Sequence, residues 1–267
     1  MHKRVISKKQ NSTQEEWLYA WNNIEKIVSK EHILAITYKT VEELIRSTAG
    51  KKVAYGWSGG KDAIVLAEIC RLAGIEDRLL IKTRLEYYDM ESYLEKHMTE
   101  KTTVQYTIHD LEWLSKNQDH LFPVEYKYVD AYMKHVRNEM EKYFFDNNLD
   151  QLIIGLRIAD GNFVPKKITT NKNGYTRHSP LSDWTHEEVL GFIYYNNLEL
   201  PKIYSYEDGF KQGTGPYFKM MRKNKTINDM WRYVYKHDKK RVHEASQYIE
   251  SARLFLEGIQ NENRKDV

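Results

Sequence analysis

The chain has 267 residues, 41% hydrophobic and 30% charged, with 41 basic against 38 acidic side chains and a single cysteine, Cys70. That length is enough for one large domain with its own core, the near balance of charge makes no general case for nucleic-acid binding, and no run of about 18 apolar residues offers a membrane span. One cysteine rules out an intrachain disulfide and a four-thiolate cluster, and the polar start MHKRVISKKQNSTQEEW lacks a signal-peptide core, so the cytoplasm is the expected location.

Residues 1–12 read as a loosely held tail. Thr13 and Glu16 fit a helix-capping pair, and Trp17, Trp21, Ile24 and Val28 follow at helical spacing. A second helix is predicted from Thr40 to Ser47. Gly50 then breaks the chain. Strands are predicted at Lys52–Trp57, Leu79–Thr83, Thr103–Ile108 and Gln151–Gly155. Helices are predicted at Asp62–Ala73, Met90–Met98 and Ala131–Asn147. Strands alternating with helices define an α/β protein with a doubly wound, mostly parallel sheet and helices on both faces. Ligands of such sheets bind at the carboxyl ends of the strands. After Gly155 the chain is polar and loop-like through Arg177. A helix follows over Thr185–Asn196, then a loop over Pro201–Pro216, and residues 217–260 are largely helical. Cys70, in an apolar helical stretch, is expected to be a packing residue.

The junction Ser58-Gly59-Gly60-Lys61-Asp62 between a strand and a helix carries the chemistry. Two glycines let the backbone turn and approach a ligand closely. The following helix presents N–H groups and its positive end, which suits phosphate. Ser58 adds a hydroxyl and Lys61 a charge. Asp62 either caps the helix or helps hold Mg²⁺. A Walker A loop needs G-x-x-x-x-G-K followed by Ser or Thr; here the glycine spacing is one residue short and Asp62 follows Lys61. The dinucleotide fingerprint G-x-G-x-x-G is absent. No H-E-x-x-H pair supports a zinc site, and no G-x-S-x-G elbow supports serine-hydrolase chemistry.

The loop resembles the PP-loop of N-type ATP pyrophosphatases, with Ala63 where members usually have serine. Further segments resemble the phosphoadenosine phosphosulfate (PAPS) reductase-like branch of that superfamily: Gly155-Leu156-Arg157-Ile158-Ala159-Asp160, Pro180-Leu181-Ser182-Asp183-Trp184-Thr185, Val189 to Pro201, and Tyr204 to Phe210. The resemblance implies an adenine nucleotide alpha hydrolase-like fold over residues 50–217. An N-terminal tail and helices (1–49) precede it and a C-terminal helical extension (218–267) follows.

It also implies ATP or a related adenine nucleotide as ligand, with Mg²⁺. Ser58, Gly59, Gly60 and Lys61 would hold the leaving phosphates, and Asp62 would orient the loop or the metal. Arg157 would contact phosphate or an anionic acceptor. Asp160 would hold Arg157 or Mg²⁺. Lys166, Lys167 and Arg177 form a second tier on a polar loop. Asp183 and Trp184 read equally as a helix start and a packing residue.

PAPS reductases use a cysteine near the C-terminus, and many relatives carry further cysteines for an iron–sulfur cluster. Gly209–Pro216 and the C-terminal helices have none. No iron–sulfur cluster is therefore expected, and adenylyl transfer to an unknown acceptor is favoured over thiol chemistry. Two other readings stay open: a nucleotide-binding protein without turnover, and action on nucleic acid through the aromatic and basic stretch Trp231–Arg241. A homodimer and a partner protein are both compatible with terminal helices of unassigned role.

Overall fold

The computed structural model describes residues 4–265, with side chains described through residue 262. In chain order its elements are α1 (Gln14–Asn22), α2 (Ile24–Ile27), α3 (Lys30–Thr48), β1 (Val53–Gly56), α4 (Lys61–Leu72), β2 (Arg78–Lys82), α5 (Tyr88–His97), β3 (Thr102–Tyr106), α6 (Leu111–Lys116), α7 (Tyr126–Asp146), β4 (Gln151–Ile153), β5 (Ile168–Thr170), β6 (Thr176–His178), α8 (His186–Tyr195), α9 (Gly209–Gln212), α10 (Ile227–His237), α11 (Lys239–Ala245) and α12 (Glu250–Lys265).

Six strands form one sheet in the order β3-β2-β1-β4-β6-β5. β1 pairs in parallel with both β2 and β4, and β4 pairs in parallel with β6. Only β5, which pairs with β6, is shown to be antiparallel. The chain runs outward from β1 through β2 to β3, then returns to place β4 on the other side of β1. The carboxyl ends of β1 and β4 therefore flank the topological switch point, where ligands of doubly wound sheets bind. This is the predicted doubly wound, mostly parallel α/β architecture.

Two compact units make up the chain. The first comprises residues 1–81, 93–105 and 139–214 and contains most of the sheet. On one face, Ala54, Leu79, Leu152 and Ile154 pack with Tyr143, Phe144, Leu149 and Tyr175. Elsewhere in this unit α3, α4 and α8 pack on one another. α8 is buried nearly all round, with Val189, Leu190, Phe192 and Ile193 at zero exposure. The second unit comprises residues 82–92, 106–138 and 215–267. There α10, α11 and α12 pack together. Arg241 lies buried, donating to Glu86 O at 2.7 Å and ion-pairing with Glu91 and Glu244.

Three local departures from the predicted elements have clear causes. The second helix begins at Lys30 rather than Thr40, because Ser29 caps it by accepting from the His32 N–H at 3.2 Å. The expected polar loop before Arg177 contains the β5–β6 hairpin, closed by Asn171 N–H to Tyr175 O at 2.9 Å and Gly174 N–H to Asn171 O at 3.0 Å. The tail is not loose over residues 4–12. Ile6 is fully buried, and the Val5 and Ile6 N–H groups both donate to Glu187 Oε1, at 2.6 and 2.7 Å. Residues 1–3 lie outside the described residues.

Candidate functional site

β1 delivers the chain to Ser58-Gly59-Gly60, and α4 begins at Lys61. Gly59 sits at φ +66°, a conformation that disfavours side chains, so the reversal at this point requires glycine. A first side-chain carbon on Gly60 would stand 3.2 Å from Thr214 Oγ1, 3.4 Å from Ser58 Oγ and 3.5 Å from the Tyr204 hydroxyl. The loop is thus ringed by three hydroxyl groups at a helix N-terminus. Ser58 is exposed. The first amide of α4 is engaged: Lys61 N–H donates to the buried Tyr204 hydroxyl at 2.8 Å.

Lys61 turns inward. It is 1% exposed, and its ammonium lies 2.7 Å from Asp62 Oδ2 and 3.6 Å from Asp160 Oδ1. Its Nζ also stands 5.5 Å from the Trp17 ring centroid. Arg157, in the turn after β4, has no exposed surface. Its Nε is 2.7 Å from Asp62 Oδ1, and its terminal nitrogen is 3.1 Å from Asp160 Oδ2. It also donates to Trp184 O and to His186 Nδ1, each at 3.1 Å. Two cations and two carboxylates thus neutralise one another and tie the loop after β1 to the loop after β4. Buried charges are tolerated when paired in this way; within the cluster Lys61 donates a hydrogen bond to Asp62, whereas Asp62 Oδ1, Arg157 Nε and Asp160 Oδ1 are held by ion pairing without one.

Burial opposes ionisation of Asp62, but the Arg157 guanidinium and the Lys61 ammonium outweigh it and hold its carboxyl well below the usual range. His186 is pushed down to about 3, first by burial and then by the same two cations. Its hydrogen bonds agree: Arg157 donates to Nδ1, so Nε2 carries the proton and donates to Ala159 O at 3.1 Å. A second proton would place an N–H against the guanidinium. Tyr204 is pushed well above its ordinary value by burial and by the nearby Asp62 charge, so it stays a neutral hydroxyl.

Asp62 and Asp160 do not form a ready magnesium site. Three of their four oxygens lie within 3.1 Å of a Lys61 or Arg157 nitrogen, and Asp160 Oδ1 lies 3.6 Å from Lys61. This donor set does not fit a divalent ion held by the protein. No cluster of three or more His, Cys, Asp or Glu side chains able to hold a metal occurs among the described residues.

Of the second-tier cations, Lys167 pairs with Glu43 at 2.7 Å and with Asp183 at 3.7 Å. Lys166 is exposed, and Arg177 lies half-buried within β6, opposite Leu152. None of the three is brought into the Lys61–Asp62–Arg157–Asp160 cluster by a described ion pair or hydrogen bond. Trp184 is buried and donates to Thr40 Oγ1 at 3.2 Å, and Thr185 forms a capping box with Glu188. Cys70 is fully buried in α4, and burial pushes its thiol well above the ordinary value. In the aromatic and basic stretch near the C-terminus, Trp231 and Val234 are core residues. These residues on α10, and the paired Arg241 on α11, make the inward side of the stretch a packing face.

Sequence reasoning passed over Tyr204, His186, Trp17 and Thr214 as site residues. Trp17 stacks on Phe210 at 4.9 Å and meets His186 edge-on at 4.6 Å, so the N-terminal helix forms part of the wall behind Lys61. Tyr204 and His186 lie in or just after segments that carry family likeness, which was the available signal. Nothing in the spacing of Trp17 or Thr214 distinguishes them from ordinary packing and loop residues.

The fold and this strand–loop–helix site define a doubly wound α/β protein with a glycine loop at the sheet's switch point. Residues 52–212 match the model of the phosphoadenosine phosphosulfate reductase domain, and the chain belongs to that family. Among solved structures it is similar to the PAPS reductase from Candida auris, determined as a phosphate complex: TM-score 0.51, 16% identity, covering 67% of this chain and 92% of that one. It is also similar to the NMN synthetase from Francisella tularensis: TM-score 0.48, 14% identity, covering 84% and 92%. A search of curated protein sequences finds no match. No helix among the described residues is long and apolar enough to cross a membrane.

Proposed function

We propose that this protein binds ATP, or a related adenine nucleotide, at Ser58–Asp62 and adenylylates an acceptor, releasing pyrophosphate. The observation that carries the reading is the position of this glycine loop at the switch point between β1 and β4, with three hydroxyl groups ringing a helix N-terminus. Membership of the PAPS reductase family supports an adenine nucleotide, and the similar Candida auris reductase was solved with phosphate.

In this reaction an acceptor oxygen attacks the α-phosphorus of ATP. The bond from that phosphorus to the bridging oxygen breaks, pyrophosphate leaves with the bond's electron pair, and the acceptor's proton passes to solvent or a base. Charge grows on the leaving group, so donors aimed at it accelerate the step. In this chain the donors are the α4 N-terminus and the hydroxyls of Ser58 and Thr214. ATP would bring its own Mg²⁺ as part of the substrate. Lys61, Asp62, Arg157 and Asp160 act as positioning residues: their charges are satisfied by one another, and they fix the loop in shape. Buried Cys70, with its thiol held protonated, fits a reaction that uses no thiolate.

The test is to incubate the protein with ATP and Mg²⁺, with and without sulfate and tRNA, and to measure pyrophosphate and AMP. Release that falls in Ser58→Ala supports the reading, and the additive that stimulates it identifies the acceptor class. Tight nucleotide binding with no release under any condition contradicts adenylyl transfer and leaves a binding role.

A further inference from the structure

We infer, independently of the nucleotide reading, that the outer stripe of α3 is a self-association face, against which a second copy of this chain lays its own α3 antiparallel. α3 buries Ile33, Thr40, Leu44 and Thr48 on one side. A second apolar stripe lies outside that face. Leu34, Tyr38 and Ile45 are 48%, 76% and 48% exposed, and Val41 between them is half-buried. At 3.6 residues per turn the four side chains fall within an arc of about 60°. Their order along the helix is the d-a-d-a order of a coiled-coil seam. Single exposed apolar residues are ordinary on a protein surface, whereas an aligned row of this kind marks a contact face.

The border of the stripe names the occupant. Glu31, Lys39, Glu42 and Arg46 are exposed along one flank of it, and none forms an ion pair among the described residues. A two-fold axis through the middle of the seam sets Leu34 on Ile45 and Tyr38 on Val41 of the second copy, each twice. The same rotation sets Glu31 beside Arg46 of the second copy and Lys39 beside its Glu42, again twice each. Acid meets base at each of these positions, so the face complements itself, as a two-fold interface must. An unrelated partner would place no such condition on the order of these charges. One pair of 19-residue helices buries less than the roughly 800 Å² per partner of a standard stable interface. The dimer should therefore dissociate at micromolar concentration.

Sedimentation equilibrium of the full chain, from low to high micromolar concentration, tests this. The proteins are wild type, Tyr38→Glu, Glu31→Lys, Arg46→Glu, the double reversal of Glu31→Lys with Arg46→Glu and, as a control, Lys172→Glu in the β5–β6 turn, where the side chain is exposed. Glu31 and Arg46 stand about 22 Å apart along α3, so they cannot pair within one chain, and rescue by the double reversal reports contact between copies. Wild type and Lys172→Glu should show the same monomer–dimer equilibrium. Tyr38→Glu should be monomeric throughout. Each single reversal should raise the dissociation constant about fivefold or more, and the double reversal should return it to the wild-type value. A thermal melt of each variant separates loss of association from loss of fold. Wild type that stays monomeric overturns the inference. So does a dimer that survives Tyr38→Glu, or one that single reversals leave unchanged, or one that they weaken and the double reversal fails to rescue.

Discussion

The hydroxyl of Tyr204 receives the backbone N–H of Lys61 at 2.8 Å, so the first amide of α4 is occupied by a side chain 143 positions away in sequence. This one bond joins the loop that reads as a phosphate cradle to a segment that the sequence offered only as a family likeness. In Tyr204→Phe that amide loses its partner at a cost of about 1 kcal/mol. A bound phosphate oxygen can replace the hydroxyl. Thermal unfolding should therefore show a lower melting temperature for the variant but a larger upward shift on adding pyrophosphate. A smaller shift than wild type would mean that Tyr204 itself serves the ligand.

Among the described residues, Arg157 is the one guanidinium paired with both Asp62 and Asp160. Arg157→Ala would leave those carboxylates with Lys61 as their nearest cation. Removing one partner from a buried network typically costs about 3–5 kcal/mol, and urea unfolding should show a loss in that range. A loss near zero would place Arg157 outside the structural network and return it to the role of a ligand contact.

Protonation of buried histidines is expected to lower stability as pH falls. His186 is pushed down to about 3 in the fold, whereas an unperturbed imidazole titrates near 6.5. Between those values the unfolded chain binds the extra proton and the folded chain does not, so stability falls as pH drops through this window and is fully present above it. His109 and His178, both pushed down to about 4 chiefly by burial, contribute in the same direction. Urea unfolding at about pH 7 and about pH 5 should show a smaller pH loss for His186→Asn than for wild type, with part of the loss remaining.

Glu187 has no exposed surface, and its Oε1 holds the Val5 and Ile6 amides. Hydrogen bonds to a charged acceptor contribute about 1.5–3 kcal/mol each, so Glu187→Ala should release the segment. Limited trypsin digestion should then cut at Arg4, Lys8 or Lys9 far faster than in wild type while the sheet unit stays intact. Equal cutting would show that Ile6 burial suffices.

The sequence made the sheet and its central loop legible, because strands and helices alternate with clear apolar periodicity and the Gly59–Gly60 turn stands between them. The β5–β6 hairpin was missed although Ile168-Thr169-Thr170 and Asn171–Gly174 carry strand and turn signals: the flanking polar residues masked a short edge pair. The sequence brought Lys61, Asp62, Arg157 and Asp160 onto one shortlist, and the structure brings the four together. It could not reveal that Lys61 points inward, because that orientation depends on Trp17 and Asp160, which lie 44 and 99 positions away. The anchoring of the N-terminal segment was invisible for the same reason, since its acceptor is Glu187.

The most direct test of nucleotide binding at this loop is equilibrium binding of MgATP to wild type and to Gly60→Ala. The added methyl would stand 3.2 Å from Thr214 Oγ1 and fill the space among the three hydroxyls, without requiring a forbidden backbone angle. Wild type should bind, and Gly60→Ala, still folded, should bind at least about tenfold more weakly. Equal affinity in the two proteins, or no binding by wild type, would contradict nucleotide binding at this loop.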